Sequence, residues 1–388
     1  RLAGAIREFH ELVDVLGVPV VTGMSSVDAL ESDHPYFVGR SGGTGTRPGN
    51  FALQNSDVLL SIGNRQGFTQ TGFQYQDWAR ESYTILNDID ENELKKPNLH
   101  VSLPVVGDAG ELIRGLLAEA KKRGADKGYP LFKGEDWRKQ CLLWKKQYPV
   151  VTEKHYETLE EGCTNIYAFY GELSKAMKEN ENLMVSVGTS RVAGSQAFQV
   201  KKGQRFITNP NTASMGFCLP AATGIAVAQP GKAVVCVTGE GSLQMNIQEM
   251  QTILQNRLPV KLFVINNQGY HSIRQTQKNF FGEPLVGVGY DSGDLSFPDM
   301  EKLSAAYGYP YVRAEHNGQL AEAVEKTLAM EGPVICEIIV STDQNFEPKS
   351  SAKRLPDGTL VSPPLEDMAP FLPDEEMDEN MIIPRIKG

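Results

Sequence analysis

The residues with the most chemistry to offer lie between Val234 and Ile273. Gly239-Glu240-Gly241-Ser242 follows the apolar run Ala233–Thr238, and after the 24 residues 242–265 comes Asn266-Asn267-Gln268-Gly269. The pattern reads strand, tight turn, helix, strand, polar loop. Gly239 and Gly241 permit a sharp turn and let backbone approach a ligand closely. Ser242 sits near the start of the next helix, where free N–H groups and the positive end of the dipole favour a phosphate. Glu240 and the paired Asn end two successive strands, so they project from the carboxyl edge of a sheet, where ligands bind. A carboxylate, an amide oxygen and a carbonyl around a diphosphate form a hard, all-oxygen set that suits Mg²⁺. Two ordinary βα turns that happen to contain Gly and Asn are the bland alternative. The spacing, the strand contexts and the Asn pair together favour the site.

These residues need a scaffold, and the surrounding text supplies one. Strands are expected at Leu183–Val187, Ala233–Thr238, Val260–Ile265 and Val334–Ile339. Helices are expected at Ile166–Lys178, Gly216–Ala228, Met245–Gln255, Asp299–Tyr307 and Gly318–Met330, with Ile247, Met250 and Leu254 facing the sheet. Repeated strand–helix alternation predicts a mainly parallel sheet with helices on both faces. The first third alternates similarly. A helix whose apolar face includes Leu2, Ile6, Phe9, Val13 and Leu16 ends at Gly17; strands follow at Val18–Val21, Val58–Ile62 and Thr84–Asn87, and a closing helix runs from Asp108 to Ala120. The fold class is therefore α/β: two doubly wound domains plus an irregular C-terminal tail. The expected boundaries are a first domain over 1–125, a Lys-rich linker with Trp137 and Trp144 over 126–160, a second domain over 161–345, and a tail over 346–388. That tail holds seven of the 22 prolines and nine acids against five bases. It is expected to build no core of its own, and Leu365, Phe371, Leu372, Ile382 and Ile383 offer anchor points for an ordered strap. A crossover helix normally follows a strand, and none precedes the opening helix. The 388 residues are thus expected to be part of a longer polypeptide or one subunit of a split enzyme.

Composition narrows the classes. A formal charge of −10 argues against general nucleic-acid binding, which needs a clustered positive field. No stretch approaches the roughly 20 apolar residues of a membrane span. Five scattered cysteines without a Cys-x-x-Cys pair fit reduced thiols, hence a cytoplasmic location, better than a disulfide framework or a zinc site.

The Gly-acid-Gly to Asn-Asn spacing resembles the thiamine diphosphate motif, and the wider text resembles acetolactate synthase-like enzymes. Thr212-Ala-Ser-Met-Gly-Phe-Cys-Leu-Pro-Ala-Ala-Thr-Gly224 is similar to the stretch that cradles the aminopyrimidine. Gly43-Thr-Gly, Gly49-Asn-Phe-Ala-Leu-Gln-Asn-Ser-Asp57 and Asn87-Asp-Ile-Asp90 resemble the family's middle domain. The resemblance implies Mg²⁺ held by Glu240, Asn267 and the carbonyl of Gly269. It implies thiamine diphosphate contacts from Gly188, Thr189, Ser190, Ala213, Ser214, Met215, Gly239, Gly241, Ser242 and Tyr270. Among these, the backbone of Ala213 would accept from the 4′-amino group and Met215 would prop the bent cofactor. The family has aspartate where this chain has Glu240, which moves the carboxylate by roughly 1.5 Å. His271 and Arg274 either face a substrate or pack. Several members hold FAD in the middle domain and others have lost it; Gly42–Gly45 and Asn64-Arg-Gln suit either a nucleotide or plain turns.

The implied function is a thiamine diphosphate- and Mg²⁺-dependent carboligase or decarboxylase of a 2-keto acid such as pyruvate. The alternative is a non-catalytic binding or assembly subunit with the same fold. The family's activating glutamate belongs to a pyrimidine-binding domain that no segment here resembles. No catalytic residue is therefore assigned in this chain, and alone it is expected to be inactive or nearly so. A homo-oligomer (dimer or tetramer), or pairing with a separate pyrimidine-domain chain, is the expected assembly.

Overall fold

Gly17 stops the opening helix where the sequence places its end, in the left-handed conformation (φ +69°) that a Cβ disfavours. That helix, α1 (Ile6–Leu16), packs Leu12 and Val15 against Ile113 and Leu117 of a later one. It belongs to the first of two units into which a computed structural model divides the chain: residues 1–150 with 347–388, and residues 151–346. The structure describes residues 1–126, 128–159, 162–354 and 357–386. The expected junction at 160/161, and Pro356 of the tail, lie outside the described residues.

In the first unit, β1 (Val20–Thr22) and β2 (Phe37–Arg40) form one parallel pair. Then α2 (Arg47–Gln54) leads to β3 (Val58–Ile62), and a short helix α3 (Phe68–Thr71) precedes β4 (Tyr83–Asp88) and β5 (Leu103–Val106). Strands β3, β4 and β5 make a three-stranded parallel sheet. Asp108 caps α4 (Ala109–Lys122) by accepting from the N–H of Gly110 and Glu111. The Lys-rich α5 (Glu135–Gln147) buries Cys141 and Trp144 beside Phe51 and Val38. The Gly42–Gly45 loop spends its donors internally: Gly42 N–H on Asn50 Oδ1 (2.9 Å), Gly43 N–H on the Thr69 carbonyl (2.9 Å), and Gly45 N–H on the Gly42 carbonyl (2.9 Å). These glycines serve a packed turn and offer no free N–H cradle for a phosphate.

The second unit is built on six parallel strands. Asn165 caps α6 (Ile166–Ala176), which leads to β6 (Asn182–Val185), α7 (Thr189–Ala197) and β7 (Arg205–Ile207). Next come α8 (Cys218–Ala228), β8 (Val234–Gly239), two short helices α9 (Glu240–Gln244) and α10 (Glu249–Gln255), and β9 (Val260–Asn266). The series closes with α11 (His271–Phe280), α12 (Met300–Tyr307), β10 (Tyr311–Ala314), α13 (Leu320–Ala329) and β11 (Val334–Ile339). The strand order is β10-β11-β9-β8-β6-β7. Helices on both faces leave β6, β8, β9 and β11 almost wholly buried, so their residues are mainly apolar, with Asn182, Lys261 and Glu337 as buried polar exceptions. One face packs Leu219 and Ala222 of α8, and Met250 and Ile253 of α10, on Cys236, Val260 and Leu262. The helix expected at Met245–Gln255 starts later, at Glu249, because residues 240–244 form a turn of helix of their own.

The chain then returns to the first unit. The tail forms a small hairpin, β12 (Lys353–Arg354) with β13 (Leu360–Val361), and a helix, α14 (Asp374–Asn380). It buries Leu365, Met368 and Met377, while the Ile382 side chain remains 63% exposed and only its N–H holds on, donating to Asn55 Oδ1 (2.7 Å). Polar ties fix it: Asn50 Nδ2 donates to the Leu365 carbonyl (3.0 Å), Gln54 Nε2 to Glu366 (2.6 Å), and Arg80 pairs with Glu366 (2.9 Å). Among the described residues no helix is long and apolar enough to cross a membrane.

Candidate functional site

Strand order locates the site. From β6 the chain moves to β7 on one side, whereas β8 leads to β9 on the other. The crevice between the carboxyl ends of β6 and β8 is thus a topological switch point, the usual ligand position in such sheets. Gly188-Thr189-Ser190 follows β6, Glu240-Gly241-Ser242 follows β8, and Asn267-Gln268-Gly269 follows β9.

Hydrogen bonds draw these segments together. Glu240 Oε1 accepts from the Gly269 N–H at 2.7 Å, and Asn267 Nδ2 donates to Thr189 Oγ1 at 3.3 Å. That leaves the Asn267 amide oxygen as the group's remaining acceptor. Ser242 Oγ lies 2.8 Å from Ser186 Oγ and accepts from the Gly216 N–H at 2.9 Å. Its hydroxyl therefore serves to join three segments; what Ser242 can give a diphosphate is its backbone N–H. Asn246 Nδ2 donates to the Gly216 carbonyl at 3.0 Å, so Gly216 ties the 212–216 loop to the site. Within that loop Ala213 holds a left-handed conformation (φ +51°) uncommon for a residue with a side chain. Ala213 and Ser214 are exposed and Met215 is half-buried. Gly188 caps α7 at φ +62°, and the Ser190 carbonyl accepts from the buried Tyr170 hydroxyl at 2.6 Å.

Two expectations about the turn change in detail. Gly239 is extended (φ −83°) and ends β8, so it supplies no left-handed turn. Gly241 is needed for space instead, since a Cβ there would collide with the Tyr270 ring. That ring packs edge-on against Phe297, with centroids 5.6 Å apart.

Glu240 is the electrostatic centre. It is 1% exposed and burial pushes its carboxyl up to about 7, although the N–H groups of Gly269 and Asn267 and the charge of Arg274 pull the other way. Among the described residues no cationic side chain pairs with it directly. A buried carboxylate needs a counter-charge, and a divalent cation would supply one. The residues fit in kind: the Gly269 N–H bond to Glu240 holds the 267–269 loop, with its amide and carbonyl oxygens, beside the carboxylate, and Gln268 (φ +56°) and Gly269 (φ +150°) adopt the unusual backbone that shapes it. Among the described residues no three His, Cys, Asp or Glu side chains cluster as a metal site; the set here has a single carboxylate.

His271 and Arg274 pack. The His271 ring nitrogens lie 3.1 and 2.7 Å from the carbonyls of Thr342 and Gln344. Arg274 is 1% exposed and bonds the loop carbonyls and Asp291. Sequence reasoning also missed Ser186, Asn246 and Asp291. Only the Gly- and Asp-rich text Gly287–Asp294 hinted that this loop approaches another closely.

Comparison with known proteins agrees with this geometry. Residues 186–338 match the thiamine pyrophosphate enzyme, C-terminal TPP binding domain, and residues 1–116 match the thiamine pyrophosphate enzyme, central domain. The chain belongs to the thiamine diphosphate-dependent enzyme family and is acetolactate synthase-like within it. It is 28% identical over 349 residues to an acetolactate synthase large subunit of Cyanidium caldarium, covering 89% of this chain and 57% of that one. It is 30% identical over 338 residues to one of Porphyra purpurea (87% and 55%), and 29% over 328 residues to the isozyme 3 large subunit of Escherichia coli K12 (84% and 55%). The chain thus spans little more than half the length of these curated relatives.

Proposed function

We propose that this chain carries the diphosphate- and Mg²⁺-binding part of an acetolactate synthase-like enzyme that acts on a 2-keto acid such as pyruvate. One observation carries the reading: a buried, unpaired carboxylate at a topological switch point, tied to an Asn-Asn loop at the expected spacing. In this reading Glu240, the Asn267 amide oxygen and the Gly269 carbonyl hold the metal. Backbone N–H groups of Gly241, Ser242 and the 188–190 turn hold the diphosphate, and the half-buried Met215 supports the ring system. The cofactor, when bound, supplies a stabilised carbanion equivalent for attack on a ketone and for loss of CO₂. The protein's contribution from these residues is binding, orientation and exclusion of water. None of them is assigned a proton transfer; the glutamate for that step is expected in a pyrimidine-binding domain, supplied by the same polypeptide or by a partner chain in a homo-oligomer. The site lies in the second unit alone, and FAD forms no part of the proposal.

Titration calorimetry of the full-length polypeptide with thiamine diphosphate tests it. Saturable heat that requires Mg²⁺ and disappears in Asn267→Ala is expected. Absence of heat with both ligands present would sink the reading.

A further inference from the structure

We propose that Arg274 and Asp291 are positioning residues that hold the 267–270 loop in the shape that presents Asn267 and Gly269 to a metal; this rests on the function proposed above. The Arg274 guanidinium lies behind the loop and makes four hydrogen bonds. Nη1 donates to the Asn267 carbonyl (3.1 Å) and Nη2 to the Gln268 carbonyl (2.8 Å). Nε and Nη2 grip the Asp291 carboxylate at 2.7 and 3.0 Å. A planar fork with five fixed donors can make these four bonds at once, and an ammonium with three donors cannot.

The neighbouring glycines point the same way. A Cβ on Gly269 would lie 2.7 Å from Arg274 Nη2, and one on Gly289 would lie 2.8 Å from it. Gly269 and Gly289 pair across an isolated antiparallel bridge, and the Tyr270 N–H donates to the Val288 carbonyl at 2.6 Å. The loop is therefore held from two sides. Glu240 takes the Gly269 N–H in front, and Arg274 takes the carbonyls of Asn267 and Gln268 behind. The Asn267 amide oxygen and the Gly269 carbonyl are left as the expected ligands. Asp291 balances the guanidinium charge, so a second cation close by meets a neutral pair. Residues that orient metal ligands without touching the metal typically change affinity by about 10- to 100-fold when replaced.

The test uses the full chain with Arg274→Gln, Arg274→Lys and Asp291→Asn, titrated with Mg²⁺ at fixed thiamine diphosphate. Asp291 is 37% exposed, so Asp291→Asn should fold even if Arg274→Gln does not. Mg²⁺ affinity is expected to fall about 10-fold or more in Arg274→Gln, and by less in Arg274→Lys and Asp291→Asn. Thiamine diphosphate affinity at saturating Mg²⁺ should stay unchanged, a split that general destabilisation would not give. Hydrogen exchange without cofactor is the second readout: the Gly269 and Tyr270 amides should exchange faster in the variants while those of β8 do not. Wild-type Mg²⁺ affinity in Asp291→Asn and Arg274→Lys, or unchanged exchange at Gly269 and Tyr270, overturns the proposal. If the wild type takes up neither ligand, the function proposed above fails, and the exchange result alone decides whether Arg274 and Asp291 order the loop.

Discussion

Replacing Glu240 by Gln should stabilise the metal-free protein, and by more as the pH rises. The Glu240 carboxyl sits at about 7 because it is buried, against an ordinary value near 4.5 in the unfolded chain. The neutral acid suits the fold, so its contribution is fully present below pH 4.5 and is lost as the pH rises through 7. The difference amounts to roughly 3 kcal/mol at pH 8. Glutamine keeps an oxygen to accept the Gly269 N–H and never ionises. The two proteins should therefore be nearly equal near pH 4.5 and separate by roughly 3 kcal/mol at pH 8 in a chelator. The assay must report on the second unit. All three tryptophans (78, 137 and 144) lie in the first, so unfolding should be followed by exchange of the β8 amides. Adding Mg²⁺ and thiamine diphosphate should nearly close the gap at 100 times Kd, where ligand stabilises only the protein that binds it by about 2.7 kcal/mol, and reverse the order at 1,000 times Kd, where it adds about 4.1 kcal/mol. A difference that stays flat from pH 5 to pH 8 would refute the claim that Glu240 is buried without a counter-charge.

Three further outcomes are expected. Gly241→Ala should destabilise the second unit by about 1–3 kcal/mol through the clash with Tyr270, and should weaken thiamine diphosphate binding. Gly239→Ala, whose nearest new neighbour is 3.9 Å away, should do neither; calorimetry and thermal unfolding of the pair decide. Ser242→Ala should leave the Gly216 N–H without its partner, cost about 1–3 kcal/mol, and speed exchange of that amide; protection equal to wild type would contradict the network. Removing residues 347–388 should open the sites of Leu365, Met368 and Met377, each a side chain worth about 1.5–3 kcal/mol of burial. The loss should appear as a lower midpoint in tryptophan fluorescence, with the second unit's transition unmoved.

Parts of the fold were legible for a physical reason. Strands β8, β9 and β11 are covered on both faces, so their sequences are predominantly apolar runs of strand length, with single buried polar residues such as Lys261 and Glu337 among them. Phe37–Arg40, Leu103–Val106, Arg205–Ile207 and Tyr311–Ala314 escaped notice because each has four residues or fewer and is interrupted by Gly, Arg or Pro. Met368 and Met377 gave no signal as tail anchors, because proline-rich text has no period against which a buried residue stands out. At the site, Glu240 and Asn267 announce themselves by spacing along adjacent strands. Arg274 and Asp291 do not: their partnership depends on how residues 281–290 fold back, and no local pattern encodes that path.

The order of segments along the chain affects how the molecule is made. The second unit is one continuous stretch, 151–346, whereas the first is assembled from 1–150 and 347–388. Translation proceeds at about 5–20 residues per second. Residue 388 therefore emerges roughly 10–50 s after residue 150. During that interval the first unit must wait with the receiving sites for Leu365, Met368 and Met377 unfilled, while the sheet that carries Glu240 and Asn267 already has every strand it needs. On a ribosome the later-encoded second unit is placed to finish first, and the first unit is completed only once residues 347–388 have been added.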